Sequence, residues 1–77
     1  MKILIADDSQ FMRGVLKDIL SKEGFDELSE AQNGKETLEK YEAEKPALVL
    51  LDIIMPEVDG IEVLKNIGKK AKVIVIS

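Results

Sequence analysis

The apolar positions of this chain fall into short continuous runs separated by longer stretches with helical spacing. Residues 2–6 and 48–51 are almost entirely apolar, which is typical of strands buried on both faces of a parallel sheet. Residues 73–76 have the same character and predict a further interior-type strand. Residues 26–31 carry polar side chains at alternate positions, which predicts a short edge strand that is solvated along one side.

Three helices are predicted between these strands. The first is capped by Ser9 or Asp8 and ends at Gly24, where a glycine can take the left-handed conformation. The second spans 35–44, and the third spans about 59–67 and stops at Gly68. The apolar residues expected on their buried sides are Phe11, Val15, Leu16, Ile19 and Leu20, then Leu38 and Tyr41, then Ile61, Leu64 and Ile67.

The order of these elements is β-α-β-α-β-α-β. Strands that alternate with helices predict an α/β fold, in which right-handed crossovers build a parallel sheet with helices on both faces. No repeat, linker or low-complexity tract divides the chain, so residues 1–77 are interpreted as one domain.

Composition narrows the functional classes. The 77 residues carry a net charge of −4 and include neither cysteine nor histidine. A disulfide scaffold is therefore excluded, a reducing cytoplasm fits, and any bound metal must be held by oxygen, which favours magnesium, calcium or manganese. No run is long enough to span a membrane, and the acidic chain has no basic stripe for nucleic acid.

Carboxylates stand where two of the predicted interior strands end. Asp7 and Asp8 follow the first strand and Asp52 follows the third, at the rim where ligands bind in open α/β sheets. Two unit charges about 4 Å apart repel by roughly 4 kcal/mol at an effective dielectric of about 20. Such a cluster predicts either a shared proton or a hard divalent cation such as Mg²⁺. A carboxylate beside that cation can attack a phosphoryl group and form an acyl phosphate. A lone aspartate at a strand end is more often a helix cap or a solvated charge.

Four short motifs resemble the receiver domain of two-component response regulators, the CheY-like family. They are Ile-Ala-Asp-Asp-Ser at 5–9, Asn-Gly at 33–34, Leu-Asp-Ile-Ile-Met-Pro at 51–56 and Asp-Gly at 59–60. The resemblance runs from the first residue to the last. It implies a flavodoxin-like or CheY-like parallel sheet and a phosphoacceptor module, with at most self-catalysed phosphorylation and dephosphorylation rather than enzymatic turnover. It also implies a cytoplasmic role in two-component signalling, chemotaxis included.

The resemblance also implies the role of each site residue. Asp52 would accept the phosphoryl group from the phosphohistidine of a sensor histidine kinase. Mg²⁺ would be bound directly by Asp8 and mainly through a water by Asp7. Asp52 and the backbone carbonyl of Ile54 would also belong to the metal site. The hydroxyl of Ser77 would bond the phosphoryl oxygen. Many relatives carry a polar side chain at the position of Ile54, so slow self-dephosphorylation is expected.

The family continues with a helix, a fifth strand and a last helix after the point where this sequence stops. The lysine and the switch aromatic of that fifth strand therefore have no counterpart, and the chain is interpreted as the N-terminal part of a receiver domain. Strand 73–76 would then be an apolar sheet edge, which predicts a homodimer or higher oligomer joined through this strand or by exchange of elements.

Three other interpretations remain open. The first is a truncated or engineered fragment that assembles without phosphotransfer. The second is a haloacid-dehalogenase-like phosphohydrolase, which needs a second aspartate two residues after Asp52, where this chain has Ile54. The third is a flavodoxin-like electron carrier, in which Asp7 and Asp8 would repel the phosphate that its loop must bind.

Overall fold

The computed structural model describes residues 1–52, 60–67 and 72–76. The predicted alternation of strands and helices is confirmed for these residues, and the predicted bounds agree closely with the observed ones. The predicted start of the third helix at Asp59 and its stop at Gly68 lie outside the described residues. The elements are β1 (Lys2–Ala6), α1 (Gln10–Lys22), β2 (Glu27–Ala31), α2 (Gly34–Glu44), β3 (Leu48–Leu51), α3 (Gly60–Ile67) and β4 (Lys72–Val75).

The four strands form one parallel sheet in the order β2-β1-β3-β4. The two continuously apolar strands β1 and β3 are therefore neighbours at its centre, and the more polar β2 lies at an edge, as predicted. In the register, Ala6 of β1 stands between Ala31 of β2 and Leu51 of β3. The carboxyl ends of the three strands are thus level, so the residues that follow them emerge at the same rim.

Alternate side chains of the central strands fill two separate apolar layers. On one face, Ile3, Ile5 and Leu50 pack against Leu16 and Leu20 of α1. On the other face, the buried partners come from α2 and α3. That second layer consists of Leu4, Ala6, Ala31, Tyr41, Val49, Leu51, Val63 and Ile67, with Leu38 and Val73 packed against it. Helices therefore cover both faces of the sheet, as the sequence predicted.

The prediction that one continuous apolar stripe of α1 would be buried is wrong in part. Leu16 and Leu20 contact the sheet, whereas Phe11 is 77% exposed and Ile19 is 53% exposed. The reason is geometric, because residues at i, i+3 and i+7 share one face of a helix. The line that faces the sheet includes Arg13 together with the two leucines, and the other apolar residues lie to the side of it.

Helix ends follow local chemistry. The hydroxyl of Ser9 accepts a hydrogen bond from the backbone N–H of Met12 at 3.2 Å, so Ser9 rather than Asp8 is the N-cap of α1. The side chain of Asn33 caps α2 in the same way, at 2.8 Å from the N–H of Glu36. Gly24 follows α1 with a φ of 97°, which glycine adopts without the strain that a Cβ would cause.

The sequence predicted that the buried side of α3 consists of Ile61, Leu64 and Ile67. The side chain of Ile67 is buried, as predicted, and Val63 is buried without having been predicted. The side chains of Ile61 and Leu64 lie outside the described residues. Among the residues that the structure describes, no helix combines the length and the apolar character needed to cross a membrane.

Candidate functional site

Three carboxylates meet at the rim of the sheet. Asp7 and Asp8 follow β1, Asp52 follows β3, and one oxygen atom from each can be chosen so that all three lie within 4.8 Å of one another. Asp7 and Asp52 are buried, whereas Asp8 is exposed. The structure therefore brings together three of the residues predicted for the site. The other two, Ile54 and Ser77, lie outside the described residues.

Backbone pairing beyond the strand ends holds two of these carboxylates in place. The N–H of Asp7 donates to the carbonyl of Ala31 at 3.0 Å, and the N–H of Asp52 donates to the carbonyl of Ala6 at 2.9 Å. Both bonds extend the sheet ladders by one residue. The separation of the two side chains is thus set by the spacing of adjacent strands.

The turn that starts α1 also belongs to the site. The backbone N–H of Ser9 donates to Oδ1 of Asp7 at 2.9 Å, while the hydroxyl of the same residue caps the helix. One short segment therefore fixes both the orientation of a buried carboxylate and the start of the helix that packs behind it.

The electrostatics of the cluster disfavour a full set of negative charges. Burial raises the pKa of the Asp7 carboxyl above its usual value, and the hydrogen bond from the N–H of Ser9 opposes this. The neighbouring charges of Asp52 and Asp8 raise that pKa further. A positive charge placed among the three carboxylates would remove this repulsion.

The donor set fits a hard divalent cation. All three side chains offer carboxylate oxygens, which suit Mg²⁺ and Ca²⁺ better than softer metals. Two of the three carboxylates are buried and the third is exposed, so the cluster is open on one side to water. Mg²⁺ keeps several of its waters when it binds to proteins, which agrees with that arrangement.

A second cluster behind Asp7 was not predicted from the sequence. Nη1 of Arg13 donates to the backbone carbonyl of Asp7 at 2.6 Å, and its Nε donates to Oε1 of Glu30 at 3.0 Å. Nζ of Lys17 donates to Oε2 of the same glutamate at 3.0 Å. The sequence did contain a signal for this cluster. Arg13 lies on the same face of α1 as Leu16 and Leu20, and a buried arginine needs polar partners.

Glu30 makes a testable contribution to stability. The hydrogen bond from Lys17 is the main reason why the pKa of the Glu30 carboxyl lies below its ordinary value of 4.5, with a further contribution from Arg13 and an opposing one from burial. A lowered folded-state pKa means that the stabilisation is complete above the unfolded-state pKa and is lost as the pH falls through the folded-state pKa. The difference in unfolding free energy between wild type and Glu30→Gln should therefore shrink below about pH 4.5.

Urea unfolding of both chains at a series of pH values between neutral and acid measures this difference. Titration of Asp7 is common to both chains and cancels in the comparison. Glu42→Gln removes an exposed carboxylate of α2 and serves as the control. A Glu30→Gln difference that stays constant down to the lowest pH at which both chains fold would contradict the ion-pair contribution.

Comparison with known proteins agrees with this geometry. Residues 3–77 match the family model described as the response regulator receiver domain. The chemotaxis protein CheY of Thermotoga maritima is 49% identical over 79 residues, which cover 99% of this chain and 66% of that protein.

Two solved structures are similar along nearly the whole chain. The CheX–CheY–BeF3–Mg²⁺ complex from Borrelia burgdorferi contains a chain that matches with a TM-score of 0.94 at 41% identity. The match covers 100% of this chain and 61% of that one. The response regulator TrrA of Thermotoga maritima in complex with Mg²⁺–BeF has a TM-score of 0.89 at 44% identity, covering 97% of this chain and 68% of that one. The chain thus spans about two thirds of the length of the curated relatives it matches.

Proposed function

Since the chain belongs to the response regulator receiver family, we propose that it is a phosphoacceptor module of two-component signal transduction. The observation that carries this proposal is the meeting of Asp7, Asp8 and Asp52 within 4.8 Å at the rim of the sheet. One of them is the proposed nucleophile, and all three would contribute oxygen atoms to the cation that the reaction needs. Asp52 is assigned as the phosphoacceptor because it directly follows β3 and is the aspartate of the Leu-Asp-Ile-Ile-Met-Pro motif.

In the proposed reaction a carboxylate oxygen of Asp52 attacks the phosphorus of a phosphohistidine on a sensor histidine kinase. The new O–P bond forms as the N–P bond breaks, and the histidine nitrogen leaves with the electron pair of that bond. Asp7, Asp8, Asp52 and the backbone carbonyl of Ile54 would hold Mg²⁺, and the hydroxyl of Ser77 would donate to a phosphoryl oxygen. When bound, Mg²⁺ would neutralise part of the negative charge on the incoming phosphoryl group.

The two similar structures that contain Mg²⁺ and beryllium fluoride support a cation at the corresponding site of this chain. The proposal does not include catalytic turnover of a free substrate. Ile54 has no polar side chain to orient a water for hydrolysis, so we propose that any loss of the phosphoryl group from Asp52 is slow.

A signalling partner follows from the same chemistry. A sensor histidine kinase is proposed as the phosphoryl donor, and the CheY relative favours a chemotaxis pathway for the output. The cytoplasm is the proposed location, which agrees with a sequence that contains no cysteine to form disulfides.

The exposed side chains of β4 support self-association as part of the proposal. Ile74 is 48% exposed and Val75 is 46% exposed, and among the described residues β4 pairs with β3 alone. An apolar edge strand is a template for another chain, so we propose a homo-oligomer joined through residues 73–76. Light scattering over a range of protein concentrations tests this, and a constant monomer mass contradicts it.

The proposed function is tested by intact mass spectrometry of the full chain after incubation with acetyl phosphate or phosphoramidate. One added phosphoryl group is expected in the presence of Mg²⁺, and none after the metal is removed with a chelator, because the charges of the three carboxylates then repel the phosphoryl donor. A folded chain that binds Mg²⁺ but gains no mass would overturn the phosphoacceptor role. A mass gain that is independent of the metal would overturn the role of the acidic cluster.

A further inference from the structure

We propose that Arg13 is a positioning residue of the cation site, which acts by fixing the peptide bond between Asp7 and Asp8. This inference rests on the proposed function, since it concerns how the cation ligands are held. The carbonyl that accepts the hydrogen bond from Nη1 of Arg13 belongs to that peptide bond. A change in the backbone torsions on either side of this peptide would move the carboxylate of Asp8 relative to those of Asp7 and Asp52.

With Arg13 in place, Asp7 is held at three points. Its N–H donates to the carbonyl of Ala31, its Oδ1 accepts from the N–H of Ser9, and its carbonyl accepts from Arg13. The first two contacts come from the strand ladder and from the helix cap. Of these three contacts, the third alone is made by the side chain of another residue, so it can be removed by substitution without changing Asp7 itself or the backbone chemistry.

The guanidinium itself is held by Glu30. Nε of Arg13 bonds one carboxylate oxygen of Glu30, and the ammonium group of Lys17 bonds the other. Arg13 is 9% exposed, so its orientation is set by these partners more than by water. The planar guanidinium presents two donors at a fixed angle, one toward Glu30 and one toward the carbonyl of Asp7. A lysine ammonium cannot reproduce this fork.

The direction in which Mg²⁺ affinity changes on substitution of Arg13 distinguishes a positioning role from a purely electrostatic one. Arg13 places a positive charge near a site that binds a cation, so through-space electrostatics alone predicts that removal of this charge strengthens Mg²⁺ binding. Positioning predicts the opposite, because the ligands lose their arrangement. Arg13→Lys keeps the charge and removes the fork, so electrostatics alone predicts no change and positioning again predicts weaker binding.

Isothermal titration calorimetry of the full chain with MgCl2 measures the dissociation constant for wild type, Arg13→Lys and Arg13→Gln. Both variants are expected to bind Mg²⁺ about tenfold more weakly, the lower end of the loss seen when residues that orient metal ligands are removed. Lys22→Gln is the matched control, because it removes one positive charge from an exposed position of α1. Its dissociation constant should stay within about twofold of wild type, since salt screens distant surface charges.

The outcomes are distinguishable. Wild type that binds Mg²⁺, with Arg13→Lys unchanged or Arg13→Gln tighter, overturns the inference and leaves the proposed function standing. Wild type that binds no Mg²⁺ overturns the proposed function and the inference with it. Circular dichroism establishes that each variant is folded.

If the Arg13 variants do not fold, Glu30→Gln takes their place, because its carboxylate orients the guanidinium. Weaker Mg²⁺ binding is expected, and the ratio of its dissociation constant to that of wild type should persist at about 0.5 M NaCl, where charge effects over such distances are largely screened. A ratio that falls to one at high salt, or that is one at all salt concentrations, overturns the inference.

Discussion

A chain carrying Asp52→Asn is expected to gain no phosphoryl group from acetyl phosphate, under conditions in which the wild-type chain gains one. The substitution replaces a carboxylate oxygen by an amide nitrogen of similar size, so the shape of the rim is kept. An amide is a poor nucleophile and cannot form an acyl phosphate. Asp52 is buried and its backbone N–H extends the ladder to β1, which keeps the substituted residue in place. Intact mass spectrometry measures the loss.

The matched control for this prediction is Asp26→Asn, which makes the same chemical change at an exposed position that precedes β2. That variant should gain the phosphoryl group as wild type does. A full mass gain in Asp52→Asn would mean that another group is the acceptor. Fragmentation of the modified chain would then show whether the phosphoryl group lies on Asp7 or Asp8, and the assignment of the nucleophile would be wrong.

Asp8→Asn is expected to produce two changes of opposite sign. Mg²⁺ binding should weaken by about 100-fold or more, because even residues that only orient metal ligands cost 10–100-fold when removed. The metal-free chain should become more stable, because one of three mutually repelling carboxylates within 4.8 Å is neutralised. A rise of a few degrees in the unfolding midpoint is expected, since about 1 kcal/mol shifts a domain of this size by about 4–8 °C.

Calorimetric titration with Mg²⁺ and thermal unfolding in the presence of a chelator measure these two changes in the same protein sample. Asp26→Asn is again the control, and it should alter neither quantity appreciably. Loss of Mg²⁺ binding together with a lower midpoint would indicate a damaged fold rather than a relieved repulsion. Unchanged values of both quantities would contradict the account of the acidic cluster as a cation site.

The order and extent of the elements were predictable from local pattern. Residues 2–6 and 48–51 are apolar without interruption, and only strands covered on both faces tolerate this. The edge position of β2 was predicted from its alternating polar residues, and Ser9 was one of the two caps that side-chain chemistry predicted for α1. The meeting of Asp7 and Asp52 follows from the same pattern, because both residues end parallel strands that are neighbours in the sheet.

The buried face of α1 was not predictable in this way. Its apolar residues occupy more of the helix circumference than one sheet can cover, so periodicity alone allows more than one rotation of the helix about its axis. The observed rotation buries Arg13 with Leu16 and Leu20 and exposes Phe11 and Ile19. That choice depends on contacts that the local sequence does not contain.

The sequence by itself determined the elements, the parallel class of the sheet and the placement of Asp7, Asp8 and Asp52 at strand ends, because each depends on residues close together in the chain. The tertiary structure alone decided that Arg13 reaches both the carbonyl of Asp7 and the carboxylate of Glu30, which is 17 positions away along the chain. A contact between a helix and a strand requires both the rotation of the helix and the register of the sheet, and these are set only when the whole core packs.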